Sequence, residues 1–149
     1  MLIIILNLIF RKIMEGFIID FLLLSISSFF FILFFQSGLD KAFNWKGELK
    51  WLTSHFSQTI FKSSVPLLLF TIMLMELSTA ILFGLSIINY FFYINNFLPF
   101  LAFFFSTCTF LSLFLGQRIA KDYEGAATIA IYFCINMLGV FIIFSSFSL

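Results

Sequence analysis

Long uncharged runs alternate with short charged clusters along this chain. Residues 21–39, 63–75, 77–117 and 125–149 contain no Asp, Glu, Lys or Arg. A helix that crosses a bilayer needs about 20 mostly apolar residues. The 77–117 run is too long to be the end of one helix, and Asn89, Asn95, Asn96 and Pro99 interrupt it. The 63–75 run predicts a helix that begins near Ser64 and passes through Glu76. The pattern therefore predicts four spans, at about 17–38, 64–88, 97–118 and 125–146. Pro66 and Pro99 stand near the starts of two of them, where a missing N–H costs nothing and a fixed φ helps. A transmembrane barrel would alternate apolar and polar residues over about 10 positions. These runs are continuously apolar, which argues against strands.

Residues 45–62 follow a different rule. Trp45, Leu49, Leu52, Phe56 and Ile60 recur every three or four positions, while Lys46, Glu48, Lys50, His55, Gln58 and Lys62 lie off that stripe. This periodicity predicts one amphipathic helix between spans one and two. Two readings use the same stripe: a helix lying in the membrane interface, or a lid packed on the end of the bundle.

Composition narrows the class. Of 149 residues, 62% are hydrophobic and 10% charged, against about 25% charged in soluble domains. A soluble domain, a disordered chain and a disulfide scaffold are all excluded. The net charge of +1 argues against a nucleic-acid partner, which requires a basic stripe. The fold class expected is all-α: a polytopic four-helix membrane bundle, one domain over 14–149, with the lipid bilayer as its first partner. Residues 1–13, with about ten apolar positions before Arg11 and Lys12, are too short to span and lack the charge order of a secretory signal. They either extend the first helix as a dispensable piece or precede a true start at Met14.

Charge placement predicts orientation. Loops 39–63 and 118–124 share one side and hold Lys41, Lys46, Lys50, Lys62, Arg118 and Lys121; the other side holds only Arg11 and Lys12. By the positive-inside rule the two loops lie in the cytoplasm and both termini outside. Trp45, Trp51, Tyr90, Tyr93 and Tyr123 fall at predicted span ends, as an aromatic belt requires.

Glu76 is the strongest candidate for chemistry. It lies about 18 Å into its span at 1.5 Å per residue, where a carboxylate costs a few kcal/mol. It serves either as a functional polar contact, with Arg118 as a partner, or as a protonated group hydrogen-bonded to a neighbouring helix. Depth counting from Lys121 brings Cys108 and Cys134 to similar levels, with Ser27, Ser28, Ser106, Thr107, Thr109 and Asn136 near the middle. That allows a polar layer. The cysteines lack a CxxC spacing and read as packing residues before redox thiols. In the 116–127 block, Arg118 and Asp122 (i, i+4) and Lys121 and Glu124 (i, i+3) can pair. The block is a tight turn, or a headgroup or ligand contact through Gln117 and Arg118. Asp20 and His55 are expected to be solvated. One His and two separated Cys do not make a zinc site, and neither a phosphate loop nor a nucleophilic triad is visible.

The run Gly116-Gln117-Arg118-Ile119-Ala120-Lys121-Asp122-Tyr123-Glu124-Gly125-Ala126-Ala127, with Tyr132-Phe133 after it, resembles the turn between the third and fourth helices of DoxX-family membrane proteins. Ser37-Gly38-Leu39-Asp40-Lys41 resembles the family's glycine–lysine pattern after the first helix. Trp51-Leu52 with His55-Phe56 resembles the segment before the second, and Glu76 with Gly84 resembles the acidic residue and glycine within it. The resemblance covers about residues 20–145. It implies a four-helix bundle in a bacterial inner membrane, with motif positions at Gly38, Lys41, Gly84, Lys121, Asp122 and Gly125. It also implies an association with oxidoreductases, through quinone-linked thiosulfate oxidation or thiol defence. Three functions follow as expectations. The first is an accessory or assembly subunit of a membrane system, with a protein partner or self-association. The second is a quinone- or thiol-linked oxidoreductase subunit, for which quinone is the cofactor in view. The third is a small transporter or lipid-binding protein using Glu76 as a proton site.

Overall fold

A computed structural model describes residues 2–92 and 97–146. These form five helices: α1 (Leu2–Phe43), α2 (Trp45–His55), α3 (Val65–Phe92), α4 (Phe97–Ala120) and α5 (Tyr123–Ser146). All but α2 contain a stretch long and apolar enough to cross a membrane, so the protein is a multi-pass membrane protein with an all-α bundle. The turn residues Tyr93, Asn95 and Asn96 lie outside the described residues.

The long helices run antiparallel to their neighbours and close a ring in chain order: α1 on α3, α3 on α4, α4 on α5, and α5 back on α1. At the centre are Phe30, Phe34, Phe83, Phe103 and Phe110, each at most 1% exposed. Phe83 lies 5.5 Å from Phe30, nearly parallel to it, and 5.1 Å edge-on from Phe103. Phe34 meets Phe110 at 4.9 Å. Offset and edge-on pairs of this kind suit the ring quadrupole. The outer faces carry Phe, Leu and Ile exposed to the surroundings, such as Ile32, Leu67, Ile81 and Phe144. This inverted surface is stable only against lipid.

Two glycines set how closely helices approach. A Cβ on Gly38 would sit 2.6 Å from Leu77 Cδ2, so α1 and α3 touch backbone to side chain there. A Cβ on Gly139 would clash with the edge of the Phe103 ring, so α5 approaches the central cluster closely because it lacks one there.

Residues 2–13 continue α1 without a break, in line with the first of the two readings of that segment. Two boundaries differ from the periodicity reading. The first helix runs past residue 38 to Phe43, so the Gly38–Lys41 motif lies within its last turns rather than after it. The amphipathic helix is shorter than 45–62: it stops at His55 and is followed by consecutive turns. Thr59 is the physical cause. Its hydroxyl donates to the Phe56 carbonyl (2.9 Å) and accepts the Phe61 N–H (3.2 Å), offering the backbone partners that compete with a helix. Phe56 consequently turns inward, 7% exposed, and Ile60 falls off the stripe at 81%.

The α4–α5 connection uses two residues. The Asp122 N–H reaches the Gln117 carbonyl (2.9 Å) and the Lys121 N–H reaches that of Arg118 (3.2 Å). This is a Schellman closure with Lys121, at φ 62°, where glycine usually stands. Asp122 then begins α5 by accepting the Gly125 N–H on Oδ1 at 2.9 Å.

Candidate functional site

Glu76 is 2% exposed and is the buried carboxylate of the interior. Its partner is Lys41, not Arg118. Lys41 Nζ donates to Glu76 Oε1 at 3.1 Å and lies 2.9 Å from Oε2. Ser37 stands one turn before Lys41 on α1. Its hydroxyl accepts from Lys41 Nζ (2.8 Å) and donates to Glu76 Oε1 (3.0 Å). The last turns of α1 thus supply a cation and a hydroxyl to one carboxylate on α3. Gly38 lets the two helices close to that distance.

Arg118 is drawn elsewhere: its guanidinium lies over the Tyr123 ring, 4.9 Å from the centroid, a cation–π contact. The expected Arg118–Asp122 and Lys121–Glu124 pairs are not among the ion pairs of the described residues, which are Arg11–Glu15, Lys41–Glu76 and His55–Asp122. The Schellman reversal explains this. It breaks helical spacing at Lys121, so residues 118 and 122 no longer share a helix face.

The polar layer is real in part. Thr79 and Thr109 share a hydrogen bond (3.0 Å), and Asn136 Nδ2 donates to Thr107 Oγ1 (2.8 Å). Ser106 and Asn136 are fully buried. Glu76 is not in this layer. Since Thr79 faces Thr109, Glu76 stands level with Ser112, about 12 Å from the end of α4 at Ala120. The thiols do not meet: Cys108 faces a groove between α3 and α4, and Cys134 is exposed on α5. A second group of hydroxyls, from Ser27, Ser86 and Tyr90, gathers toward the opposite end.

His55 is half-buried and bonded rather than free in solvent. Its ring stacks on Trp51 (4.7 Å between centroids) and its Nε2 is 3.1 Å from Gln117 Oε1. An amide oxygen only accepts, so Nε2 carries the proton and donates. Asp122 Oδ2 lies 3.9 Å behind it. This contact latches α2 to the α4–α5 turn, and Phe56 packs beneath it toward Gly116. These contacts tether α2 over the bundle end as a lid, a position that also leaves its outer face free to lie in the membrane interface.

Under the lid is a cavity of about 390 Å³, within the range of small-molecule sites. Its walls are mostly apolar, among them Leu52, Phe56, Ile72 and Met75, with Lys41, Glu48, His55, Thr71, Ser112 and Gln117 as the polar members. Lys41 joins the cavity to Glu76, which stays behind it. Depth counting singles out Glu76 but not its partners: Ser37 lies in the last turn of the expected span, and Lys41 lies beyond its expected end at residue 38. The i, i+4 spacing of Ser37 and Lys41 was the available signal. Gly38 and Gly84 both face α1–α3 contacts, with Leu77 and Phe31 respectively, and Gly125 leaves room for Asp122 and Gln117. No family model, curated protein or solved structure matches the chain.

Proposed function

We propose that this is a DoxX-like protein of a bacterial inner membrane. In this reading it is an accessory or assembly subunit of a larger, redox-linked membrane system, and it contributes a seat for an amphiphilic molecule. The observation that carries the reading is the lidded cavity. Its walls are apolar, and most of its polar groups are already partnered: Lys41 by Ser37 and Glu76, His55 by Gln117. Such a site holds a molecule in place rather than transforming it. Convergence of Lys41, Gly38 and Glu76 at one helix contact gives the DoxX-like motif positions a shared structural purpose. The thiol-linked version loses its geometry, because Cys108 and Cys134 face different surroundings. A quinone ring is less well served, because its two carbonyls need donors and the lining leaves only the Gln117 amide and Trp51 indole N–H groups for them. The Lys41 ammonium and the Ser112 hydroxyl, which bonds the Cys108 carbonyl, are engaged elsewhere. The proton-site version loses its isolated carboxylate to Lys41.

The lid end would face the cytoplasm, given the basic residues collected there. Two experiments test the reading. Tagged protein at native expression, extracted in mild detergent, is expected to bring a membrane partner with it; a chain recovered alone refutes the subunit role. A Lys62→Cys variant is expected to resist an impermeant maleimide in intact spheroplasts and to react in inverted vesicles. The reverse pattern refutes the orientation.

A further inference from the structure

The chemistry of the cavity wall selects the class of molecule it takes. Lys41 is the basic side chain of the lining, and its charge is spent on Glu76, at 2.9 and 3.1 Å from the two oxygens. The hydroxyls of Thr71 and Ser112 donate to carbonyls of their own helices, at 2.9 Å each. Glu48 also lines the cavity, half-buried, and no ion pair or hydrogen bond of the described residues engages its carboxylate. The wall therefore presents one carboxylate that no ion pair or hydrogen bond among the described residues engages, while its ammonium and hydroxyls are already bonded. Beside it are aromatic faces: Trp51 stacked with His55 at 4.7 Å, His55 edge-on to Phe56 at 5.3 Å, and Phe56 to Phe61 at 6.2 Å. A carboxylate beside π faces in an apolar hollow is complementary to a cation with an apolar body. An anionic headgroup would meet Glu48 and find no free cation. A neutral acceptor would find the ammonium and both hydroxyls engaged and only the Gln117 amide and Trp51 indole N–H groups to bond.

From this we infer that the cavity under α2 is a binding site for a lipophilic organic cation, with Glu48 as its counter-ion and Trp51 as an aromatic wall. The inference rests on the reading that the cavity holds an amphiphile, and it adds the sign of the charge. The test uses the full-length protein in lipid nanodiscs. Three probes of similar size are compared: tetraphenylphosphonium, the anion tetraphenylborate, and neutral tetraphenylmethane. Binding is followed by quenching of Trp51 fluorescence in a Trp45→Phe background and by equilibrium dialysis against empty nanodiscs. The phosphonium is expected to bind at least tenfold more tightly than either other probe. Glu48→Gln, on a half-exposed helix that tolerates the change, is expected to erase that preference. Gly116→Leu, which fills the cavity from α4, is expected to abolish saturable binding of all three. Equal binding of the neutral probe, or a preference that survives Glu48→Gln, overturns the charge inference while leaving an amphiphile site. Failure of all three probes to bind above empty nanodiscs overturns both.

Discussion

Removing Lys41 while leaving Glu76 in place is the most informative single perturbation. At about 3 Å and an effective dielectric of about 20, two unit charges attract by about 5 kcal/mol. Much of this offsets the desolvation of a carboxylate that is 2% exposed and an ammonium whose side chain is 17% exposed. The net worth of the intact pair is therefore small, yet stranding one partner costs about 3–5 kcal/mol. Lys41→Met and Glu76→Leu are each expected to destabilise the bundle by that amount. The double variant is expected to lie within about 1 kcal/mol of the native chain, because apolar residues of similar volume often replace a buried ion pair without loss. Ser37 can then return its hydroxyl to its own helix backbone. Equilibrium unfolding in mixed micelles, followed by circular dichroism, measures all four corners of the cycle. Burial also predicts a coupling energy that barely changes between about 0.05 and 0.5 M salt, since buried pairs escape screening. Single variants that each cost under about 1 kcal/mol, or costs that simply add in the double variant, would refute this account of the pair.

Three further outcomes follow from particular contacts. Gly139→Val drives a side chain into the Phe103 ring; about 1–3 kcal/mol is expected to be lost, and Phe103→Leu in the same chain is expected to recover part of it in the same unfolding assay. Lys121→Gly relieves a left-handed residue at φ 62° and is expected to raise stability by up to about 1 kcal/mol, seen as a higher unfolding midpoint. His55→Ala removes the bond to Gln117; hydrogen exchange is expected to rise across α2 and the 56–64 turns while α3 stays protected, and unchanged exchange would show that the lid is held without the latch.

The four spans were legible because uncharged runs of bilayer length have few alternative explanations. Their internal pairings were less so. Glu76 declared itself by depth, yet its partner depended on where α1 stops. The sequence pattern ended α1 near Gly38, a residue that often terminates helices. Here that glycine admits Leu77 instead and the helix runs on to Phe43. The α2 stripe was visible through Phe56, but Thr59 ended the helix by a local hydroxyl bond that hydrophobic periodicity does not register. His55 looked like a solvated surface residue because its ring faces Gln117, 62 positions away, and only tertiary packing brings the two together. Arg118 and Asp122 had ideal helical spacing, and one left-handed residue between them removed it.

The five phenylalanines at the bundle axis have a consequence of their own. Phe83 lies seven residues from Glu76 and seven from Tyr90 on the same helix, and its neighbours Phe30 and Phe103 close over it. These rings carry neither donor nor acceptor, so they form an electrical insulator between the ion pair near the lid and the hydroxyls of Ser27, Ser86 and Tyr90. A proton cannot hop through them. A dense interior does transmit displacement, so a shift of α3 at the ion pair is passed through these rings to the helices that hold Ser27, Ser86 and Tyr90.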